Sequence, residues 1–359
     1  MTLTSDRIAE LRANERRAAV ATLVATSGGA IRRLGETMWV DEHGAIVGSV
    51  TIGGCVDGRV VELAEAVLRS GTSRRVSLPL GDEDAWAFGM TCAGTVDVLV
   101  EPVAPMDATD PVAAAAAAVA SAVHGGRSAV EMIALDGRPA RLVVVENGIR
   151  HGSLGDPALD EVAAAQAASV LDARTSGVLT VSVGERATEL FAYVHAPAPS
   201  IIVVGATDVA VALVPLAATL GFHTVVIDSR ERWATAERFP AVDELRVGMP
   251  SEAIGDFPLT PATALVLVGH DFKYDLPVLE VALKSRAGYI GVLGSRRRAA
   301  VLRECLLGMG RTPEDIARVR IPVGLDIGAR TPQEIALSVL AEIVAARSDG
   351  RRARANGDG

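Results

Sequence analysis

Ile201, Ile202, Val203 and Val204 form an unbroken apolar run that stops at Gly205, and no other feature of the chain restricts its fold as tightly. A helical apolar pattern follows through Leu220, and a second apolar run over residues 224–227 closes on Asp228. Strands without polar alternation are covered on both faces. This strand, glycine, helix and strand therefore belong in a parallel sheet flanked by helices, the first half of a Rossmann-like fold. The turn departs from the dinucleotide fingerprint. Where G-x-G-x-x-G/A sets its second glycine against pyrophosphate, this chain has Thr207, and the charge of Asp208 beside it repels phosphate. A doubly wound sheet is expected, and NAD(P) is not an expected ligand. Asp228 stands where a ribose hydroxyl would be read, although an acidic residue at a strand end is also commonplace.

Two more strand and helix pairs continue the sheet. Residues 264–268 end in Gly269-His270-Asp271, and residues 289–293 end in Gly294-Ser295-Arg296-Arg297-Arg298. Ligands of open parallel sheets sit outside the carboxyl ends of the strands, so both loops fall on the functional edge with Gly205 and Asp228. Three arginines in the first turn of a helix oppose its dipole, and a bound anion would relieve them. A phosphate site at Gly294, Ser295, Arg296 and Arg297 is the preferred reading, with a solvated basic patch as the alternative. In the glycine loop 324–330, Asp326 and Arg330 either meet a ligand or pin the turn. Thr331, Pro332 and Glu334 form a capping box for the last helix. Beyond Arg347 the charged, Gly-rich tail is expected to be disordered.

The N-terminal half centres on Thr51-Ile52-Gly53-Gly54-Cys55-Val56-Asp57-Gly58. Val60, Leu63, Ala64, Val67 and Leu68 then recur at helical spacing, so Cys55 is expected at or near a helix N-terminus, where the dipole favours a thiolate. Such a sulfur is a nucleophile or a soft-metal ligand; the bland alternative is a small buried residue on a glycine turn. Cys92 lies on a second loop among small residues. Residues 128–194 repeat the order of residues 18–101: Arg141 to Gly148 mirrors Thr37 to Gly44, and Gly152-Ser153 falls where Gly48-Ser49 does. The second copy has neither cysteine, which points to a function rather than a folding role for them. Ala196-Pro197-Ala198-Pro199 reads as a stiff linker. The expected organisation is a cysteine-bearing half at 1–105, a degenerate repeat at 106–196, a Rossmann-like domain at 197–347 and a tail at 348–359. The fold class is thus α/β, with a repeated α+β domain ahead of the parallel sheet.

Composition removes several functions. A net charge of −9 argues against nucleic-acid binding, and no GxxxxGK[ST] loop marks a P-loop ATPase. The first residues lack a signal-peptide pattern and no stretch reads as a membrane span. Three scattered cysteines, with no CxxC, fit free thiols in a reducing compartment, and the protein is read as cytoplasmic.

Taken together, GGCVDG, TCAGTVDVLVEP, the Rossmann half, GHD, GVLGSRRR and VGLDIGARTPQEIALSVLAEI resemble the xanthine dehydrogenase accessory protein family, XdhC/CoxI type, in the family's order along nearly the whole chain. The family's Rossmann turn reads Gly-Ala-Gly-His, so Gly205-Ala206-Thr207-Asp208 is a departure. The resemblance implies a dimeric, non-catalytic maturation factor that binds molybdenum cofactor as molybdopterin or a dinucleotide form. It implies two partners, a cysteine desulfurase that sulfurates the cofactor and the apo molybdenum hydroxylase that receives it, such as xanthine dehydrogenase or aerobic carbon monoxide dehydrogenase. Cys55 and Cys92 would then ligate or approach the metal, with Gly53, Gly54 and Asp57 around them. Two other readings stay open: an NAD(P)-dependent oxidoreductase, and a persulfide relay acting through Cys55.

Overall fold

Alternate residues of segments 19–23 and 96–100 are fully buried against one helix, the pattern of strands with one face turned to a helical layer. The computed structural model describes residues 4–28, 33–52, 54–80, 94–107 and 109–355. The chain divides into two compact units, Met1–Pro197 and Ala198–Gly359.

The first unit is a duplication. After α1 (Thr4–Ala13), the elements β1 (Ala18–Gly28), β2 (Thr37–Asp41), β3 (Ile46–Gly48), α2 (Asp57–Ser70), β4 (Arg74–Pro79) and β5 (Gly94–Val103) form an antiparallel sheet ordered β3-β2-β1-β5-β4. Then α3 (Pro111–His124) leads into β6 (Ala129–Ala134), β7 (Arg141–Val145), β8 (Arg150–Ser153), α4 (Pro157–Ala173), β9 (Gly177–Val183) and β10 (Arg186–His195), ordered β8-β7-β6-β10-β9. Topology and element sequence are the same in both copies. One face of each sheet is covered by its own helix, α2 or α4. Val24 and Leu99 of the first copy pack with Ile133 and Phe191 of the second, which joins the sheets. The alanine-rich α3 touches both sheets through different faces, Val112 and Ala116 toward one, Ala115 and Ala122 toward the other. Small side chains let one helix serve two sheets. Asp110 caps it by accepting the Ala113 N–H at 2.8 Å.

The equivalence of the copies reaches single residues. Gly48 and Gly152, at φ +85° and +79°, lie on the second strand of each hairpin, away from its turn, where a Cβ would lie 2.4 Å from the Thr37 carbonyl oxygen and 2.3 Å from that of Arg141. No side chain fits either place. Directly after them, the Ser49 hydroxyl donates to the Asp57 carboxylate at 3.0 Å and the Ser153 hydroxyl to Asp160 at 2.6 Å.

A buried charged group also joins the copies. Arg141 on β7 donates to Glu101 on β5 and to Glu131 on β6, while His195 Nε2 lies 2.9 Å from Glu131. Burial alone would raise both carboxyls. For Glu131 the attraction of Arg141 and the contact with His195 outweigh it and hold the group at about 2, whereas for Glu101 burial prevails and the value is raised.

In the second unit, β11 (Ser200–Val204), α5 (Asp208–Thr219), β12 (His223–Asp228), β13 (Glu244–Val247), α6 (Pro250–Ala253), β14 (Thr263–Leu267), α7 (Phe272–Lys284), β15 (Tyr289–Val292), α8 (Arg296–Gly308), α9 (Pro313–Ala317), β16 (Val319–Arg320) and α10 (Pro332–Ala355) follow one another. The six strands are parallel, in the order β13-β12-β11-β14-β15-β16, the two-halved Rossmann arrangement. α5 and α10 cover one face, α7 and α8 the other. The sheet is therefore doubly wound. Thr331 caps α10 by accepting the Glu334 N–H at 3.2 Å, and Glu334 returns to the Thr331 N–H at 2.9 Å, completing the expected box. α10 continues through Ala355, past the position at which a disordered tail was expected. Among the described residues no helix is long and apolar enough to cross a membrane.

Candidate functional site

The switch point between β11 and β14 fixes where a ligand of the second unit would lie. Gly205, at φ +109°, follows β11, and a Cβ there would meet the Gly269 nitrogen of the neighbouring loop at 3.1 Å. The two loops thus touch at the crevice, and only glycine at position 205 permits it. Asp228, at the end of β12, is already engaged. One carboxylate oxygen accepts from the Arg230 N–H at 2.8 Å and Nε at 2.9 Å, the other from the Ala206 N–H at 2.6 Å and Arg230 Nη2 at 2.7 Å. Burial pushes its carboxyl up, but those donors outweigh burial and hold it below the ordinary value. A ribose hydroxyl would have to displace Arg230.

Asp208 does not face the crevice as a bare charge. Arg238 donates to it at 2.9 Å and to the Ala206 carbonyl at 2.8 Å, latching the turn from 32 residues away. Asp208 is 80% exposed, so the ion pair itself contributes little energy; its effect is to cancel charge beside the turn.

On the other side of the switch point, Ser295 caps α8 by accepting the Arg298 N–H at 3.2 Å. The three arginines that follow Ser295 divide their work. Arg298 turns back, donating to the His270 carbonyl at 2.6 Å and to buried Asp275, with its guanidinium 4.5 Å from the Phe272 ring centroid. It therefore ties the loop after β14 to the start of α8. Burial raises the Asp275 carboxyl in spite of that partner. Arg296 and Arg297 are exposed and have no ion-pair partner among the described residues. The His270 side chain is exposed, and Asp271, also exposed, caps α7 by accepting the Lys273 N–H at 2.9 Å. Asp326 is exposed on a loop pinned by α10, where Glu342 accepts the Gly324 N–H at 2.7 Å and Ser338 donates to the Leu325 carbonyl at 2.5 Å.

In the first unit, α2 begins at Asp57 with Val56 as its cap residue, so Cys55 stands just before the helix rather than in its first turn. It is exposed. The Gly54 carbonyl accepts the Asp57 N–H at 3.1 Å, and Ile52 is 72% exposed beside the turn. Asp57 has a structural duty: its bond to Ser49 recurs as Ser153 with Asp160 in the copy that has no cysteine. What the first copy adds is the turn carrying Cys55. Gly53 and Cys92 lie outside the described residues. Among the described residues no three His, Cys, Asp or Glu side chains are arranged to hold a metal ion.

Sequence reasoning placed the loops on the carboxyl edge but missed Arg230, Arg238 and the inward role of Arg298. Asp228-x-Arg230 was the one local signal, since an arginine two residues on can fold back onto a carboxylate. Arg238 had none, because its partners Ala206 and Asp208 are remote in sequence.

A duplicated α+β unit whose first copy carries the Cys55 turn, followed by a Rossmann unit with an arginine-bearing carboxyl edge, defines a protein of α/β class. The XdhC Rossmann domain pattern matches residues 201–343, and that of the XdhC and CoxI family matches residues 11–79. The chain belongs to the XdhC and CoxI family. It is 29% identical over 336 residues to a Bacillus subtilis protein named as a probable component of xanthine dehydrogenase, covering 93% of this chain and 94% of that one. It is 27% identical over 331 residues to the molybdenum cofactor insertion chaperone PaoD of Escherichia coli, covering 92% and 83%. A crystal structure described as a xanthine dehydrogenase from Bacillus halodurans superposes with a TM-score of 0.78 at 25% identity, covering 97% and 96%.

Proposed function

We propose that this protein is a carrier and insertion chaperone for molybdenum cofactor that serves a molybdenum hydroxylase, such as a xanthine dehydrogenase or an aerobic carbon monoxide dehydrogenase. The observation that carries the reading is the likeness, over 92% of the chain, to a relative named a molybdenum cofactor insertion chaperone. The cargo's chemistry suits the residues. It is a pterin that holds its own metal on a dithiolene and ends in phosphate, so a carrier needs a soft or hydrogen-bonding group for the metal and cations for the phosphate, not a cage of protein ligands. Cys55, with Cys92, supports the first need, and Arg296 and Arg297 at the start of α8 support the second. In this reading the protein is an accessory factor rather than an enzyme. It works in the cytoplasm as a homodimer and holds the cofactor while a cysteine desulfurase supplies sulfur.

The test is reconstitution. Protein loaded with cofactor and mixed with apo molybdenum hydroxylase is expected to restore that enzyme's activity faster than free cofactor does. Equal rates would contradict the reading. Sulfur relay through Cys55 is separable from carriage, because incubation with a cysteine desulfurase and cysteine would then leave a persulfide on Cys55, seen as one added sulfur by mass spectrometry.

A further inference from the structure

The end of β12 carries a group that the proposed function leaves unused. Trp233 is 46% exposed, with the Arg238 guanidinium carbon 4.9 Å and that of Arg230 5.3 Å from its ring centroid. Neither arginine is free to wander. Arg230 is bound to Asp228, and Arg238 to Ala206 and Asp208, so the Rossmann turn itself holds two guanidinium planes against an exposed indole. The charges of the two arginines and two aspartates cancel. The group therefore selects by stacking and directed N–H donors rather than by net charge, and guanidinium and indole faces are the surfaces on which nucleobases stack.

Its place in the sheet matches that chemistry. In a sheet of this strand order, the nucleoside of a two-part ligand is read at the end of the second strand, which here is β12, and the ligand crosses the switch point toward the fourth and fifth. The crossing point holds an unspent hydrogen bond. Thr207 Oγ1 is buried and finds no partner among the described residues, and a phosphate oxygen passing there would accept from it. The ends of β12 and β15 are three strand steps apart through β11 and β14, about 14 Å at ~4.8 Å per step. A pterin monophosphate seated at Arg296 and Arg297 does not reach Trp233, whereas a ligand with two ring systems joined by pyrophosphate does.

We infer that Arg230, Trp233 and Arg238 form a nucleotide subsite, and that the carboxyl edge takes the pyrophosphate-linked dinucleotide form of the cofactor with its nucleobase on the Trp233 group. The inference rests on the carrier reading.

Equilibrium dialysis of the full chain against cytidine, guanosine and adenosine 5′-diphosphates tests the subsite. At least one is expected to bind, with Trp233→Ala weakening it about tenfold or more and Trp233→Phe staying within a few-fold. Melting temperatures equal to wild type exclude loss by unfolding. Binding of none of the three, or equal binding by Trp233→Ala, overturns the subsite, as does NADP+ binding that exceeds all three and depends on Trp233. A second arm separates this inference from the carrier reading. Mononucleotide and dinucleotide cofactor bound equally, with Trp233→Ala altering neither, sinks the subsite and leaves the carrier; failure of both forms to bind wild type sinks the carrier reading itself.

Discussion

Replacing Arg141 with methionine should cost the first unit more than any single surface change. The guanidinium is the shared partner of Glu101, 1% exposed, and Glu131, 9% exposed, and methionine fills similar space without charge. Two carboxylates would be left facing each other in the core, with His195 Nε2 still in contact with Glu131 and Asp110 adding repulsion toward Glu101. Holding Glu131 at about 2 instead of 4.5 corresponds to about 3 kcal/mol, part of it owed to His195. Breaking a buried pair from one side typically costs about 3–5 kcal/mol, so a loss of about 3 kcal/mol at pH 7 is expected. The sign with pH follows from the direction of each shift. The lowered Glu131 contributes stability that is present above about 4.5 and fades as pH falls toward 2; the raised Glu101 contributes below about 4.5 and loses it as pH rises. In Arg141→Met both carboxyls protonate more readily, so the deficit should shrink between pH 7 and pH 5. Urea unfolding followed by circular dichroism reads both effects, with Glu101→Gln as the contrast, because the amide oxygen can still accept from Arg141 and the loss should be smaller than in Arg141→Met. A deficit below about 1 kcal/mol in Arg141→Met, or one equal at both pH values, would refute this account of the joint.

Two further outcomes are expected. Gly48→Ala and Gly152→Ala should each destabilise by on the order of 2–4 kcal/mol, because both force a Cβ onto a backbone carbonyl at positive φ; a large cost for one and none for the other in thermal melts would break the equivalence of the copies. Arg298→Met should cost about 3 kcal/mol by stranding buried Asp275, and adding Asp275→Asn should recover most of it, whereas no recovery would place the role of Arg298 in stacking on Phe272 instead.

The fold was legible where apolar runs had one meaning. Residues 201–204 and 224–227 fall within β11 and β12, and the copied hairpins fall on β2 and β7, because buried strands and glycine-closed turns leave a local mark. The short edge strands β13 and β16 left none. Pairing on one side alone makes no demand for an apolar run, and Glu244–Val247 reads as polar loop. Cys55 falls just before the Val56 cap of α2, near the helix start as its apolar period indicated. The carboxyl edge followed from strand order, but its working details did not. The latch of Arg238 onto Ala206 and the fold-back of Arg298 onto the His270 loop are tertiary contacts made by long, flexible side chains, and a cluster such as Ser295 to Arg298 looks uniform until packing sorts the inward arginine from the outward pair.

Anaerobic titration of the purified chain with molybdenum cofactor, wild type beside Cys55→Ala, tests the carrier reading most directly. Cys55 is exposed and outside α2, so its loss should leave the melting temperature unchanged. The account predicts saturable binding by wild type and clearly weaker binding by Cys55→Ala. Binding of equal strength by both would remove Cys55 from the site, and no binding by wild type would contradict the carrier role.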